Sequence, residues 1–284
     1  MEVLTSHLED ILNTSIVSYR PLSGGDISAV FKIETKTGAY VLKCGAKEKT
    51  SLFEAEAQGL NLIAKTQTIA TPKVIAVGAH HETPYLLMEF IASKTPEKED
   101  YNKLGNQLAQ FHNCYAEQFG LSSDNFIGSL FQKNTPSKNW IDFYSINRLG
   151  VQFELAVSQG LLNPKEIPSQ KEIKNVLKSL CSDVKPSLLH GDLWSGNYII
   201  AKDGTPYLID PATYYGHAEV DIAMTKLFGG FGSHFYEAYH DVIPISNHYN
   251  ERIDLYQLYY LLVHLNLFGR SYYNSVQRIL KRYF

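Results

Sequence analysis

The chain has 284 residues, enough for two compact cores, with 44% hydrophobic and 19% charged residues. A formal net charge of −3 argues against a nucleic-acid partner or an anionic membrane surface. Three scattered cysteines, Cys44, Cys114 and Cys181, form no Cys-x-x-Cys pair, which suits a reducing cytoplasm and excludes a thiolate metal site.

The N-terminal fifteen residues lack a cationic stretch followed by a long apolar run, so no signal peptide is expected. No segment reaches the apolar length of a membrane span. Leu4, Leu8 and Ile11 stand at helical spacing and predict a short amphipathic helix. Residues 16–22, 29–35 and 39–43 read as strands. The loop after the first strand holds Gly24 and Gly25. A glycine pair there lets backbone amides come close to phosphate, and it equally suits a plain hairpin turn.

Lys43 ends the apolar strand Tyr40-Val41-Leu42. Residues 50–65 follow as a helix with Leu52, Phe53, Leu60, Ile63 and Ala64 on one face. Glu56 lies three or four positions from Phe53, Leu52 and Leu60 and projects toward that face, whereas Glu54 points about 200° away. Thr71-Pro72 ends this region. Residues 73–78 and 85–91 read as strands around a turn at 80–83. Residues 95–100 are polar and charged and read as a connection.

Beyond residue 100 the chain reads as mainly helical. Leu104, Leu108, Phe111 and Tyr115 line one helical face, and residues 140–155 and 170–180 predict further helices. Residues 124–128 read as a Gly/Asn-rich connection. Residues 253–268 are apolar nearly all round and predict a buried helix whose tyrosines are core. A last helix over 272–283 packs at the surface.

The chemistry concentrates in residues 188–211. Short apolar runs at 188–189, 198–200 and 207–209 read as buried strands that hold polar residues on a loop and at a strand end. Asp192 precedes Asn197 by five positions, and Asn197 precedes Asp210 by thirteen. Phosphoryl transfer needs a carboxylate facing the attacking hydroxyl, and an amide oxygen with a second carboxylate to hold Mg²⁺ on the nucleotide phosphates. The plain alternative is a strand-turn-strand whose His190, Asp192 and Asn197 merely cap turns.

The string LLHGDLWSGN at residues 188–197 resembles the signature of the fructosamine kinase (ketosamine-3-kinase) family, and further matches run from about residue 20 to about residue 270. The resemblance implies an α+β, bilobal protein-kinase-like fold. A β-rich nucleotide-binding lobe would span about residues 1–90. A mainly helical catalytic and substrate-binding lobe would span about 91–284, with ATP bound between the two. Lys43 then corresponds to the kinase strand lysine on the nucleotide phosphates, held by Glu56. Gly24 and Gly25 become the phosphate loop, and Glu89, Phe90 and Ile91 the hinge whose backbone meets adenine. Asn197 and Asp210 become the Mg²⁺ ligands, Asp192 the group facing the substrate hydroxyl, and Asp221 the anchor of the catalytic-loop backbone. His217 is expected as an exposed loop histidine in preference to a substrate contact.

The activity implied is ATP-dependent phosphorylation of the 3-hydroxyl of ketosamines, small or protein-bound, which promotes their deglycation. No Ala-Pro-Glu motif follows Asp210, which argues against a kinase of peptide substrates. Two alternatives stand beside this reading. An aminoglycoside- or choline-type phosphotransferase keeps the same catalytic residues, but acidic residues are sparse between 205 and 235. An inactive nucleotide-binding module usually loses Lys43, Asp192, Asn197 or Asp210, and all four stand here.

Overall fold

The computed structural model describes residues 2–22 and 28–284, so Gly24, Gly25 and the rest of their loop lie outside the described residues. The chain divides into two compact units. One is Met1–Asp100 with Gly196–Pro211, and the other is Tyr101–Ser195 with Ala212–Phe284. This partition differs from the boundary expected near residue 90. The first unit runs ten residues further and takes back a later hairpin, for reasons visible in its backbone bonds.

In the first unit, α1 (Glu2–Leu12) precedes β1 (Ile16–Pro21), β2 (Ala29–Thr35) and β3 (Ala39–Cys44), then α2 (Thr50–Lys65), β4 (Val74–His80) and β5 (Thr83–Glu89). The strands form one antiparallel sheet in the order β1-β2-β3-β5-β4. Alternation along β3 sends Leu42 and Cys44 to one face, where they pack with Leu4 and Leu8 of α1 and Leu87 of β5. Val41 packs on the other face with Phe53, Ala57 and Leu60 of α2 and Leu86 and Met88 of β5. Lys43 shares the parity of Val41, so the pleat aims it at α2.

The hairpin that joins this unit late consists of β9 (Tyr198–Ile200) and β10 (Pro206–Leu208), paired antiparallel. Its turn is fixed locally: Gly204 sits at φ +80°, and the Asp203 carboxylate accepts the Thr205 amide at 2.9 Å. Backbone bonds from Lys94 N to Ile200 O, Lys202 N to Ala92 O and Leu208 N to Ala70 O, all 2.9–3.0 Å, tie it to residues 70–94. The Lys94 ammonium also reaches Asp100 at 2.8 Å, which holds the end of the unit in place.

The second unit opens within α3 (Lys98–His112) and is mainly helical, with α4 (Trp140–Tyr144), α5 (Val151–Ser158), α6 (Gln170–Leu180), α7 (Glu219–Leu227), α8 (Ser233–Val242), α9 (Tyr249–Phe268) and α10 (Tyr273–Tyr283). Two short hairpin-like pairs interrupt the helices: β6 (Asn125–Ile127) with β7 (Leu130–Gln132), and β8 (Ser187–Leu189) with β11 (Tyr214–Gly216). A capping box between Ser169 and Glu172 starts α6. Tyr256, Tyr259 and Tyr260 of α9 are at most 1% exposed, so the α9 tyrosines are core, as expected. Among the described residues no helix is long and apolar enough to cross a membrane.

Two helical expectations change. The predicted helix over 140–155 is broken by a π-helical stretch, Ser145–Gly150. There the fully buried Arg148 donates to Lys133 O and Asn134 Oδ1 at 2.7 Å, and its guanidinium lies 3.9 Å from the Tyr214 ring centroid. The α3 face ends at His112, and Tyr115 lies past the helix with 48% of its surface exposed. The connection expected at 124–128 is partly strand, because Asn125 is buried and donates to Thr213 O at 2.7 Å.

Candidate active site

In the first unit the pleat of β3 and the inner face of α2 bring Lys43 and Glu56 together at 2.7 Å, with Glu56 8% exposed and Glu54 outside on the solvent face. The same Lys43 ammonium also bonds the Asp210 carboxylate. Burial opposes a charge on Lys43, but the two carboxylates outweigh it and hold the ammonium well above the ordinary lysine range. For Glu56 the balance reverses. Burial pushes its carboxyl up, Lys43 pulls it back, and the nearby Asp210 charge pushes it up again. Two carboxyl groups thus share one ammonium.

Asp210 follows β10 in the left-handed backbone region, at φ +55°. This conformation is uncommon for a residue with a side chain and is held by its neighbours. One such restraint is the Ile209 amide, which donates to Asn197 O at 3.1 Å and so ties the two expected metal ligands to one hairpin. Asn197 itself is 5% exposed. Among the described residues no group of three or more His, Cys, Asp or Glu could hold a metal by itself. An amide oxygen and a carboxylate fit a hard cation that completes its shell with phosphate oxygens and water, as Mg²⁺ does.

The expected hinge is partly consumed by the sheet. Glu89 N donates to Lys73 O at 2.9 Å and Phe90 N to Ala39 O at 3.2 Å. Among the described residues the Ile91 amide meets no partner, which leaves it as the donor in this stretch.

In the second unit the catalytic loop is fixed through its backbone. The buried Asp221 carboxylate of α7 accepts the His190 amide at 2.7 Å and the Gly191 amide at 2.8 Å. Ala212 N donates to His190 O at 2.8 Å, and the Tyr260 hydroxyl donates to Gly191 O at 2.9 Å. The Asp192 amide donates to His190 Nδ1 at 3.2 Å. Gly191 stands at φ +85°, and a Cβ there would lie 2.1 Å from Ala212 O. The arginine of the protein-kinase loop therefore has no room at this position. Asp192 itself is partly exposed, and Trp194 is 40% exposed two residues on.

His217 is not the exposed loop residue that was expected. Its Nδ1 lies 2.7 Å from the Tyr256 hydroxyl, and the Trp140 ring stands edge-on to it. Burial lowers its pKa to about 4, so the ring is neutral. Sequence reasoning missed His112, whose ring is buried between Asp221 and Tyr239. Its signal was present: His112 sits four residues after Leu108 on the apolar face of α3.

With this geometry in hand, comparison with known proteins becomes specific. The sequence profile of the fructosamine kinase family matches residues 2–284. A protein of Lactiplantibacillus plantarum named a probable ketoamine kinase is 40% identical over 285 residues, covering all of both chains. The chloroplastic protein-ribulosamine 3-kinase of Arabidopsis thaliana is 38% identical over 277 residues, covering 95% of this chain and 83% of that protein. The crystal structure of a candidate fructosamine-3-kinase of Haemophilus somnus superposes with a TM-score of 0.90 at 29% identity, covering 99% and 96% of the two chains. An aminoglycoside phosphotransferase in complex with ADP and hygromycin B gives a TM-score of 0.65 at 17% identity over 98% of each chain, a likeness of fold alone. The chain belongs to the fructosamine kinase family and has its protein-kinase-like fold.

Proposed function

We propose that the protein is an ATP-dependent ketosamine 3-kinase. Family membership across residues 2–284 carries this reading, and the intact set Lys43, Glu56, Asp192, Asn197 and Asp210 supports it. Lys43, held by Glu56, orients the nucleotide phosphates. The Ile91 amide and the Glu89 carbonyl meet adenine, Phe90 lies between them in the chain, and the sequence assigns Gly24 and Gly25, outside the described residues, to phosphate binding. Asp192 orients the sugar hydroxyl and takes its proton. Asn197 and Asp210 are the residues that would hold Mg²⁺, which when bound neutralises charge on the phosphate oxygens. The rest is alignment of the two reactants. Three unpaired cysteines suit a reducing cytoplasm as the place of action.

Transfer to the 3-hydroxyl has a chemical consequence. A ketosamine carries its carbonyl at carbon 2 and its amine on carbon 1. Enolisation toward carbon 1 makes the phosphate on carbon 3 allylic to an enaminol, and that phosphate leaves with the bonding pair. Addition of water at carbon 1 then frees the amine and leaves a dicarbonyl sugar. Incubation with ribulosyl- or fructosyl-lysine, ATP and Mg²⁺ should give a product whose phosphorus couples to the proton on carbon 3. On standing it should release phosphate and lysine, and excess EDTA should prevent the first step. A stable product phosphorylated at the terminal carbon, or full turnover in EDTA, contradicts the corresponding part of the reading.

A further inference from the structure

The catalytic loop hangs on one carboxylate, and that carboxylate has a third partner with no role in the chemistry above. Asp221 Oδ1 accepts Gly191 N, and Oδ2 accepts both His190 N and His112 Nε2, the last at 3.1 Å. An ionised carboxylate only accepts, so the His112 proton sits on Nε2. On the other side of the ring, Nδ1 lies 2.7 Å from the Tyr239 hydroxyl of α8. His112, Tyr239 and Asp221 are each at most 1% exposed. Water therefore offers no substitute for any member of this chain of bonds.

The three residues come from three elements. His112 is the last residue of α3, Asp221 lies in the first turn of α7, and Tyr239 lies in α8. A carboxylate bound only by two consecutive amides retains freedom to turn about its own side-chain torsions. A third donor from a different helix removes that freedom. The two amides it holds lie immediately before Asp192 in the chain, so the setting of Asp221 is passed through two peptide planes to the carboxylate that faces the substrate.

We propose that His112 is a positioning residue of the reaction: bridging Tyr239 and Asp221, it fixes the carboxylate that holds the His190 and Gly191 amides and thereby aims Asp192. The proposal rests on the reading of Asp192 given above, but its backbone part can be tested without any substrate.

Two amides that overlay different ring nitrogens provide the test. In His112→Gln the side-chain nitrogen falls near Nε2 and keeps the donor to Asp221. In His112→Asn it falls near Nδ1 and that donor is lost. His112→Gln should keep kcat within about threefold of wild type, while His112→Asn should lose about tenfold to a hundredfold, the scale of a displaced reacting group. The KM for ATP should be unchanged in both. Amide hydrogen exchange at His190 and Gly191 should accelerate in His112→Asn and stay slow in His112→Gln. Tyr239→Phe, which leaves the imidazole in place, should cost a few-fold in kcat by the same route.

Equal loss in the Gln and Asn variants, with equal falls in melting temperature, would reduce His112 to a packing residue and overturn the proposal. So would wild-type kcat and unchanged exchange in His112→Asn. If His112→Asn does not fold, the Tyr239→Phe and His112→Gln pair decides: wild-type kcat in the first, or strong loss with fast exchange in the second, overturns it. If the wild-type protein phosphorylates no ketosamine, the functional reading fails, and the exchange rates still decide the role of His112.

Discussion

The two units hold their candidate functional groups by different means. In the first unit the functional groups hold one another: the Lys43 ammonium bonds the side chains of Glu56 and Asp210. In the second unit the functional loop is held by its backbone, through two amides on Asp221, a carbonyl on Tyr260 and a glycine that admits no side chain. On the reading proposed above, the ion pairs of the first unit are exchanged when a nucleotide and a cation arrive, because Lys43 would turn to phosphate and Asp210 to the cation. Backbone bonds to a buried carboxylate do not exchange with ligand. On that reading the first half of the chain's functional groups is rearranged by binding, and the second stays fixed, as preorganised groups must.

The largest effect should come from the fixed half. Asp192→Asn should lower kcat by about 10²–10⁴-fold, the usual scale for losing a general base, with nucleotide affinity kept. Steady-state kinetics alongside nucleotide titration checks this, and near wild-type turnover removes Asp192 from the mechanism. Next is the loop's backbone. Gly191→Ala places a methyl group against Ala212 O at a positive φ and should cost roughly 2–3 kcal/mol of stability, read by denaturant unfolding. An unchanged midpoint would mean that the loop is as adaptable as the ion pairs, and the contrast would collapse.

The exchangeable half should respond more mildly. Glu56→Gln keeps the shape but not the charge, and should lower kcat/KM by about tenfold, roughly 1.4 kcal/mol. Glu54→Gln, on the solvent face of the same helix, should leave it unchanged. The reverse order in measured kcat/KM would place the functional acid on the wrong face.

The smallest effect concerns pH. His217 has a folded pKa near 4 against an ordinary value of 6.5. Between those values the unfolded chain binds a proton that the native chain refuses, so stability falls as pH drops through that window. His217→Gln should flatten the slope by at most about 1.4 kcal/mol per pH unit, measured by unfolding at pH 7 and pH 5. An unaltered slope would mean that burial does not keep the ring neutral.

What the sequence discloses follows from how local each signal is. Lys43 and Glu56 stand thirteen residues apart, one on a strand of clear parity and the other on a helix of clear period, so their meeting is legible in the order of residues alone. The stretch from His190 to Asp210 is one continuous string. His112 and Asp221 lie 109 residues apart on separate helices, and no periodicity links them. The π-helical stretch around Arg148 escaped because apolar residues continue through it, while what distinguishes it is a wider turn and distant carbonyl partners. The strands at 125–132 and 214–216 are three residues long, too short for alternation to register. Gly24 and Gly25 remain a reading of sequence alone.

The hairpin at Gly196–Pro211 gives the chain an unusual order of assembly. During synthesis the first hundred residues emerge with the sheet and α2 complete but without the strands that dock on Ala70, Ala92 and Lys94. Glu56 and Lys43 are then a pair awaiting a third member that is translated more than a hundred residues later. The ribosome must deliver most of the second unit before the first can close. No single peptide bond, moreover, divides the units, because the chain passes from one to the other after Asp100, after Ser195 and after Pro211. A protease that cuts once leaves both halves still threaded to each other, and a gene cut at residue 100 yields a first fragment lacking its own last hairpin.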